Sequence, residues 1–79
     1  MEVRFSKSAL KALWRSNKAE LIRRKIDEVA ADPLSQGANV KRLAGRTEYR
    51  LRVQDWRVIF RLEEGVLWID DIGPRGSIY

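Results

Sequence analysis

The stretch Tyr49-Arg50-Leu51-Arg52-Val53-Gln54-Asp55-Trp56-Arg57-Val58-Ile59-Phe60-Arg61-Leu62 sets the architecture. In residues 49–53 the apolar side chains take alternate positions and the two arginines share the other face, the period of a half-buried strand. Gln54-Asp55 is the turn, and residues 57–62 are a second strand, apolar enough to be central and covered. On the C-terminal side, Glu63-Glu64-Gly65 is another turn. Val66 to Ile72 is a third strand, and Gly73-Pro74-Arg75-Gly76 leaves the sheet. On the N-terminal side the period is helical. Pro33, Ser35, Gln36, Gly37 and Asn39 form a loop. Before it, Ile22, Ile26, Val29 and Ala30 line one face of a helix that Asp32-Pro33 stops. Asn17 and Glu20 have the spacing of a capping box at its start. Ser6 is the expected N-cap of an earlier helix carrying Ala9, Leu10, Leu13 and Trp14, and Val3 and Phe5 mark a short opening strand. The order is β-α-α-β-β-β: an α+β, two-layer single domain over residues 1–79, with a helical hairpin on one face of a small antiparallel meander. Trp14 and Trp68 are expected in the core.

A 79-residue chain buries only about 60% of the surface it exposes when unfolded, so its core is thin. It has no cysteine, which removes disulfides, thiolate metal sites and cysteine nucleophiles. It has no histidine either, which removes the usual general base and the commonest metal ligand. Asp70 and Asp71 are adjacent in a strand and expected on opposite faces, which argues against a two-carboxylate metal site; no cofactor is expected. The longest apolar run, Val66-Leu67-Trp68-Ile69, is far short of the roughly 20 residues of a membrane span. The opening residues have no apolar signal-peptide core, so a soluble cytoplasmic protein without a membrane partner is expected.

The 16 basic and 11 acidic residues give a net charge of +5. Segment 41–61 alone carries that charge: Lys41, Arg42, Arg46, Arg50, Arg52, Arg57 and Arg61 stand against only Glu48 and Asp55. If the two arginine-bearing strands pair around Gln54-Asp55, Arg50, Arg52 and Arg57 come together. Three guanidiniums side by side repel unless an anion lies between them, and phosphate suits their fork. The readings open at this point are a solvated sheet face, an RNA or DNA phosphate cradle, and a docking face for an acidic protein segment. Lys41, Arg42, Arg46 and Arg61 would extend a cradle. Trp56 would stack a base or close a turn. Gly73, Pro74 and Gly76 suggest a shaped turn aiming Arg75 back across the sheet, with Tyr79 following. Arg23-Arg24-Lys25 reads as a solvated helix face.

The segments VKRLAG (40–45), YRLRVQDWRVIF (49–60) and IDDIGPRGSIY (69–79) together resemble the RelE/ParE superfamily, the toxin halves of type II toxin–antitoxin pairs. The resemblance extends over the whole chain, since the helical hairpin also fits. RelE-like members cleave mRNA in the ribosomal A site without a metal, by attack of a ribose 2′-hydroxyl on the adjacent phosphate. ParE-like members poison DNA gyrase. The resemblance implies a catalytic set of Arg50, Arg52, Arg57, Arg75 and Tyr79; beside it, the basic segment makes Lys41, Arg42, Arg46, Trp56 and Arg61 the expected RNA-binding residues. It also implies a cognate antitoxin, the ribosome and mRNA as partners, and a toxin–antitoxin hetero-oligomer. All five catalytic positions carry a basic or aromatic residue of the expected type, which favours the RelE-like branch. The chain departs from the pattern at Arg50, where lysine is common and is a proposed general base, at Pro74, where histidine or lysine is commoner, and at Gly76, in a stretch often more basic; a ParE-like gyrase toxin and a catalytically weakened antitoxin-binding module are the alternatives. Arginine does not give up its proton in a protein.

Overall fold

The computed structural model describes residues 1–78. The elements are β1 (Glu2–Phe5), α1 (Lys7–Arg15), α2 (Ala19–Ala31), a 3-10 turn (Gly37–Asn39), β2 (Val40–Arg42), β3 (Tyr49–Val53), β4 (Trp56–Glu63) and β5 (Val66–Pro74). The sheet order is β1-β5-β4-β3-β2. β1 runs parallel to β5 and the other pairs are antiparallel. The sheet is therefore mixed rather than a plain meander. Parallel neighbours need a long connection, and here the helical hairpin lies within it. The two-layer α+β architecture is as expected, with β2 as a further strand; three residues are too few to show a period.

Both helices cover one face. Ala9 and Leu13 of α1 and Ile22, Ile26, Val29 and Ala30 of α2 pack on Leu51, Val53, Val58, Phe60, Leu67, Ile69 and Ile72 of the sheet. Tyr49 stacks on its cross-strand partner Phe60 with ring centroids 5.4 Å apart. Ser6 caps α1 as expected: its Oγ accepts from the Ala9 N–H at 3.0 Å. α2 differs from expectation. Its N-cap is Lys18, with no side-chain cap hydrogen bond, so the Asn17–Glu20 box does not form.

Two hairpins build the site. Val53 pairs with Trp56 across Gln54-Asp55, and Glu63 pairs with Val66 across Glu64-Gly65. Glu64 and Gly65 both have left-handed φ (51° and 78°), the pattern of a type I′ loop that matches strand twist. Between β4 and β5 the register slips: Ile59 opposes Asp71 but Phe60 opposes Ile69, so Asp70 bulges out. The Asp70 carbonyl accepts from Ser6 Oγ at 2.8 Å, which ties the bulge to the start of α1. The bulge also corrects the expectation for the two aspartates. Core residues Ile69 and Ile72 flank them on either side, so neither aspartate faces the helices and the simple alternation fails there.

Trp14 is 72% exposed, contrary to expectation. α1 is only nine residues long, and Ala9 with Leu13 fills its share of the core. Trp14 is turned one residue, about 100°, away from that stripe. Trp68 is half-buried and lies on the sheet face away from the helices, opposite Arg4 and Arg61. No helix among the described residues is long and apolar enough to cross a membrane.

Candidate functional site

The sheet face away from the helices carries the candidate site, and strand register assembles it. Lys41 opposes Arg50, Arg50 opposes Ile59, and Arg52 opposes Arg57. Arg57 in turn opposes Gly73. Since Leu51, Val53 and Val58 are in the helix-side core, these residues all stand on the open face. The expected grouping of Arg50, Arg52 and Arg57 is therefore present, with Lys41 at its edge.

Arg57 is the centre. It is only 8% exposed. Its Nη1 donates to the carbonyls of Gln54 at 2.8 Å and Trp56 at 2.9 Å. Gln54 is left-handed (φ 53°), an uncommon conformation for a side chain of this size. Among the described residues Nε and Nη2 of Arg57 have no protein partner, and no buried side-chain nitrogen or oxygen is left unsatisfied. That edge of the guanidinium therefore reaches solvent, and it is the edge that grips an oxyanion in bidentate fashion. Burial first, then the neighbouring charges of Arg52, Arg50 and Arg75, push Arg57 below the usual arginine range; Asp55 opposes them. A bound anion would relieve this repulsion.

Arg52 is exposed and, like Lys41, has no hydrogen-bond or ion-pair partner for its side chain among the described residues. Arg75 follows the last pair of the ladder, Trp56 with Pro74, and its N–H donates to the Asp55 carbonyl at 2.6 Å. This pins Arg75 to the same turn that holds Arg57. Tyr79 lies outside the described residues.

Other basic residues are placed differently. Arg61 is on the open face, but its Nε donates to Asp70 Oδ2 at 2.8 Å and its Nη1 pairs with Glu63 at 2.8 Å. Those two carboxylates raise its pKa further, Asp70 foremost. Arg61 also lies 5.2 Å from the Trp68 ring centroid, and Arg4 lies 5.6 Å from the same ring. This half of the face is neutralised. Arg46 is ion-paired with Glu48. Arg42 opposes Tyr49, on the helix side, so it is turned away from Lys41 and Arg50. Trp56 packs against the helix-side core beside Lys11, Arg15 and Pro74; it does not share the arginine face. Arg23 and Lys25 pair along α2 with Asp27 and Glu28, as a solvated helix face would. The sequence reading missed the Gln54 carbonyl and Gly73. The second was missed because the last strand was expected to end at Ile72; β5 runs on to Pro74, which makes Gly73 the register partner of Arg57.

Comparison with known proteins fits this geometry. Residues 3–79 match the profile of the family described as ParE toxin of type II toxin-antitoxin system, parDE. No curated protein matches the chain by sequence. Among solved structures, the archaeal RelE–RelB complex from Pyrococcus horikoshii OT3 is similar, with a TM-score of 0.80 and 28% identity over 95% of this chain and 94% of that one. The intact E. coli RelBE toxin–antitoxin complex gives a TM-score of 0.75 and 22% identity over 92% and 94%. The YoeB/ParE toxin from Agrobacterium tumefaciens gives 0.78 and 16% over 95% and 99%. With its profile match running from residue 3 to residue 79, the chain belongs to the ParE toxin family of type II toxin–antitoxin systems, within the RelE/ParE superfamily.

Proposed function

We propose that this toxin is a RelE-type endoribonuclease, which halts translation in the cytoplasm by cutting mRNA on the ribosome. The observation that carries the reading is the outward Nε/Nη2 edge of Arg57, held from behind by two carbonyls and flanked by Arg52 and Arg75. In such a reaction a ribose 2′-oxygen attacks the adjacent phosphorus, the 5′-oxygen leaves, and a cyclic phosphate remains. The phosphorane carries one charge more than the substrate. Fixed guanidiniums aimed at that charge stabilise it more than the ground state. Arg57 and Arg52 hold the phosphate, Arg50 and Lys41 hold the strand beside it, and Arg75 stands by the leaving oxygen. Tyr79 stacks a flanking base or relays a proton. Arg50 acts through its charge alone, so the proton of the 2′-hydroxyl goes to another group: Tyr79, Glu48 or a ribosomal one. Arg42, Arg46, Arg61 and Trp56 are outside this set, given their faces and partners. A cognate antitoxin is the expected partner, in a hetero-oligomer, as in the archaeal RelE–RelB complex.

Primer-extension mapping of transcripts after induction tests this. Cleavage in translated regions is expected, and Arg57→Ala or Arg75→Ala should restore growth. Intact transcripts, or toxicity that survives both substitutions, would refute it. The second reading is gyrase inhibition, favoured by the family whose profile the chain matches and by Arg50 in the place of lysine. It predicts a DNA-damage response with intact mRNA.

A further inference from the structure

Ile78 is only 7% exposed, and Ile59 is 1% exposed although it faces away from the helices. Neither belongs to the helix-side core cluster. Both are therefore buried outside the helix-side core, and Ile78 lies against the arginine face at Gly73. A Cβ built there would lie 3.0 Å from Cγ2 and 3.3 Å from Cβ of Ile78, so any larger residue would push the isoleucine back from its seat. The chain reaches this place by a tight reversal. Gly76 is left-handed (φ 91°), and the Ser77 N–H and Oγ donate to the Pro74 carbonyl at 3.2 Å and 3.0 Å. Arg75 sits inside that reversal, with its N–H on Asp55, and Gly73 is the register partner of Arg57.

We propose that Ile78, seated on Gly73, is a positioning residue: it latches segment 74–78 onto the arginine face, keeps Arg75 in the cluster and keeps the Arg57 stem out of water. The inference rests on the phosphate-site reading for its functional half; its structural half stands alone. An isoleucine that merely filled a surface hollow would leave the geometry of Arg75 unchanged when trimmed. The latch instead couples Ile78, Gly73 and the Arg75 N–H into one unit, because the Arg75 and Ser77 hydrogen bonds and the Ile78 contact all lie within the same five-residue reversal.

The test uses the purified toxin and four variants: Ile78→Ala, Ile78→Val, Gly73→Ala and the double Gly73→Ala/Ile78→Ala. Two readouts are taken, the amide hydrogen exchange of Arg75 and the inhibition of a cell-free translation reaction. Thermal melting of each variant establishes that it is folded. Ile78→Ala and Gly73→Ala should each speed Arg75 exchange about tenfold or more, since local opening then needs no loss of the global fold. Both should weaken translation inhibition in parallel. Ile78→Val keeps the Cβ and Cγ2 that touch Gly73 and should stay near wild type. The double variant should be no worse than either single one, because the two residues act as one contact. Should one single variant fail to fold, the other carries the comparison. Unchanged Arg75 exchange in the folded variants overturns the latch. Changed exchange with undiminished inhibition overturns its role in positioning. A wild-type protein that does not inhibit translation overturns the nuclease reading, while the exchange data still judge the latch.

Discussion

Replacing Arg52 with glutamine should stabilise the protein while disarming it. Arg52 stands directly across from Arg57, and its side chain has no compensating partner among the described residues. Directly opposed like charges on antiparallel strands destabilise by roughly 0.2–1 kcal/mol. At ~6 Å in bulk water Coulomb's law gives about 0.7 kcal/mol, and the exposure of Arg52 keeps the pair near that limit. A gain of about 0.5 kcal/mol is therefore expected, or roughly 2–4 °C in melting temperature for a domain of this size. The gain should fade with salt, since the screening length falls from about 10 Å at 0.1 M to about 3 Å at 1 M. Melting curves followed by tryptophan fluorescence at low and high salt measure both effects. Arg61→Gln is the control: the same change of charge, but at an arginine held by Asp70 and Glu63, so it should destabilise. A destabilised Arg52→Gln protein, or a gain that persists in 1 M salt, would refute the like-charge account of this face.

Ser6→Ala should cost about 1–2 kcal/mol, because one hydroxyl caps α1 and satisfies the bulged Asp70 carbonyl; urea denaturation checks it. The Glu28 carboxyl is held below its ordinary 4.5 by hydrogen bonds from Gln36 and then Lys25. Its stabilising contribution is therefore full above that pH and is lost as pH falls from there through the lower folded value, so Glu28→Gln should flatten that limb of an acid-unfolding curve. Arg57→Lys keeps the charge but gives one ammonium the work of two edges, the carbonyls behind and the anion in front. It should lose activity about as severely as Arg57→Ala, on the order of 10²–10³-fold for a lost oxyanion donor, measured as toxin dose in a translation assay.

Much of the site could be read along the chain because its geometry is local. Alternation in Tyr49 to Val53 put Arg50 and Arg52 on one face, and a two-residue turn at Gln54-Asp55 brought Arg57 opposite Arg52. What escaped depends on residues distant in sequence. Arg61 looked like its neighbours in the basic segment, but its partner Asp70 reaches it only because β5 bulges there. Lys41 and Arg42 are adjacent and equally charged. Which of them faces the cluster depends on the register of a three-residue strand, and a slip of one would exchange them. Trp56 sits between two strand signals and takes its face from Val53 across the turn. The parallel pairing of β1 with β5 leaves no local mark, since it joins the two ends of the domain.

The division of the open face follows from these partners. One half carries Arg4, Arg61, Glu2, Glu63 and Asp70 around Trp68, with its charges paired. The other holds Lys41, Arg52, Arg57 and Arg75, with no carboxylate bonded to any of them among the described residues. A thin core has little stability to spare for unpaired repulsion, so the second half needs another source of order. It comes from the backbone: two turn carbonyls on Nη1 of Arg57 and a third carbonyl on the Arg75 N–H. Carbonyls orient a guanidinium without cancelling its charge, whereas a carboxylate would do both. Arg61 is held by carboxylates that cancel its charge, and Arg57 by carbonyls that leave its charge available; on the proposed function, that difference is what fits Arg57 to an incoming anion.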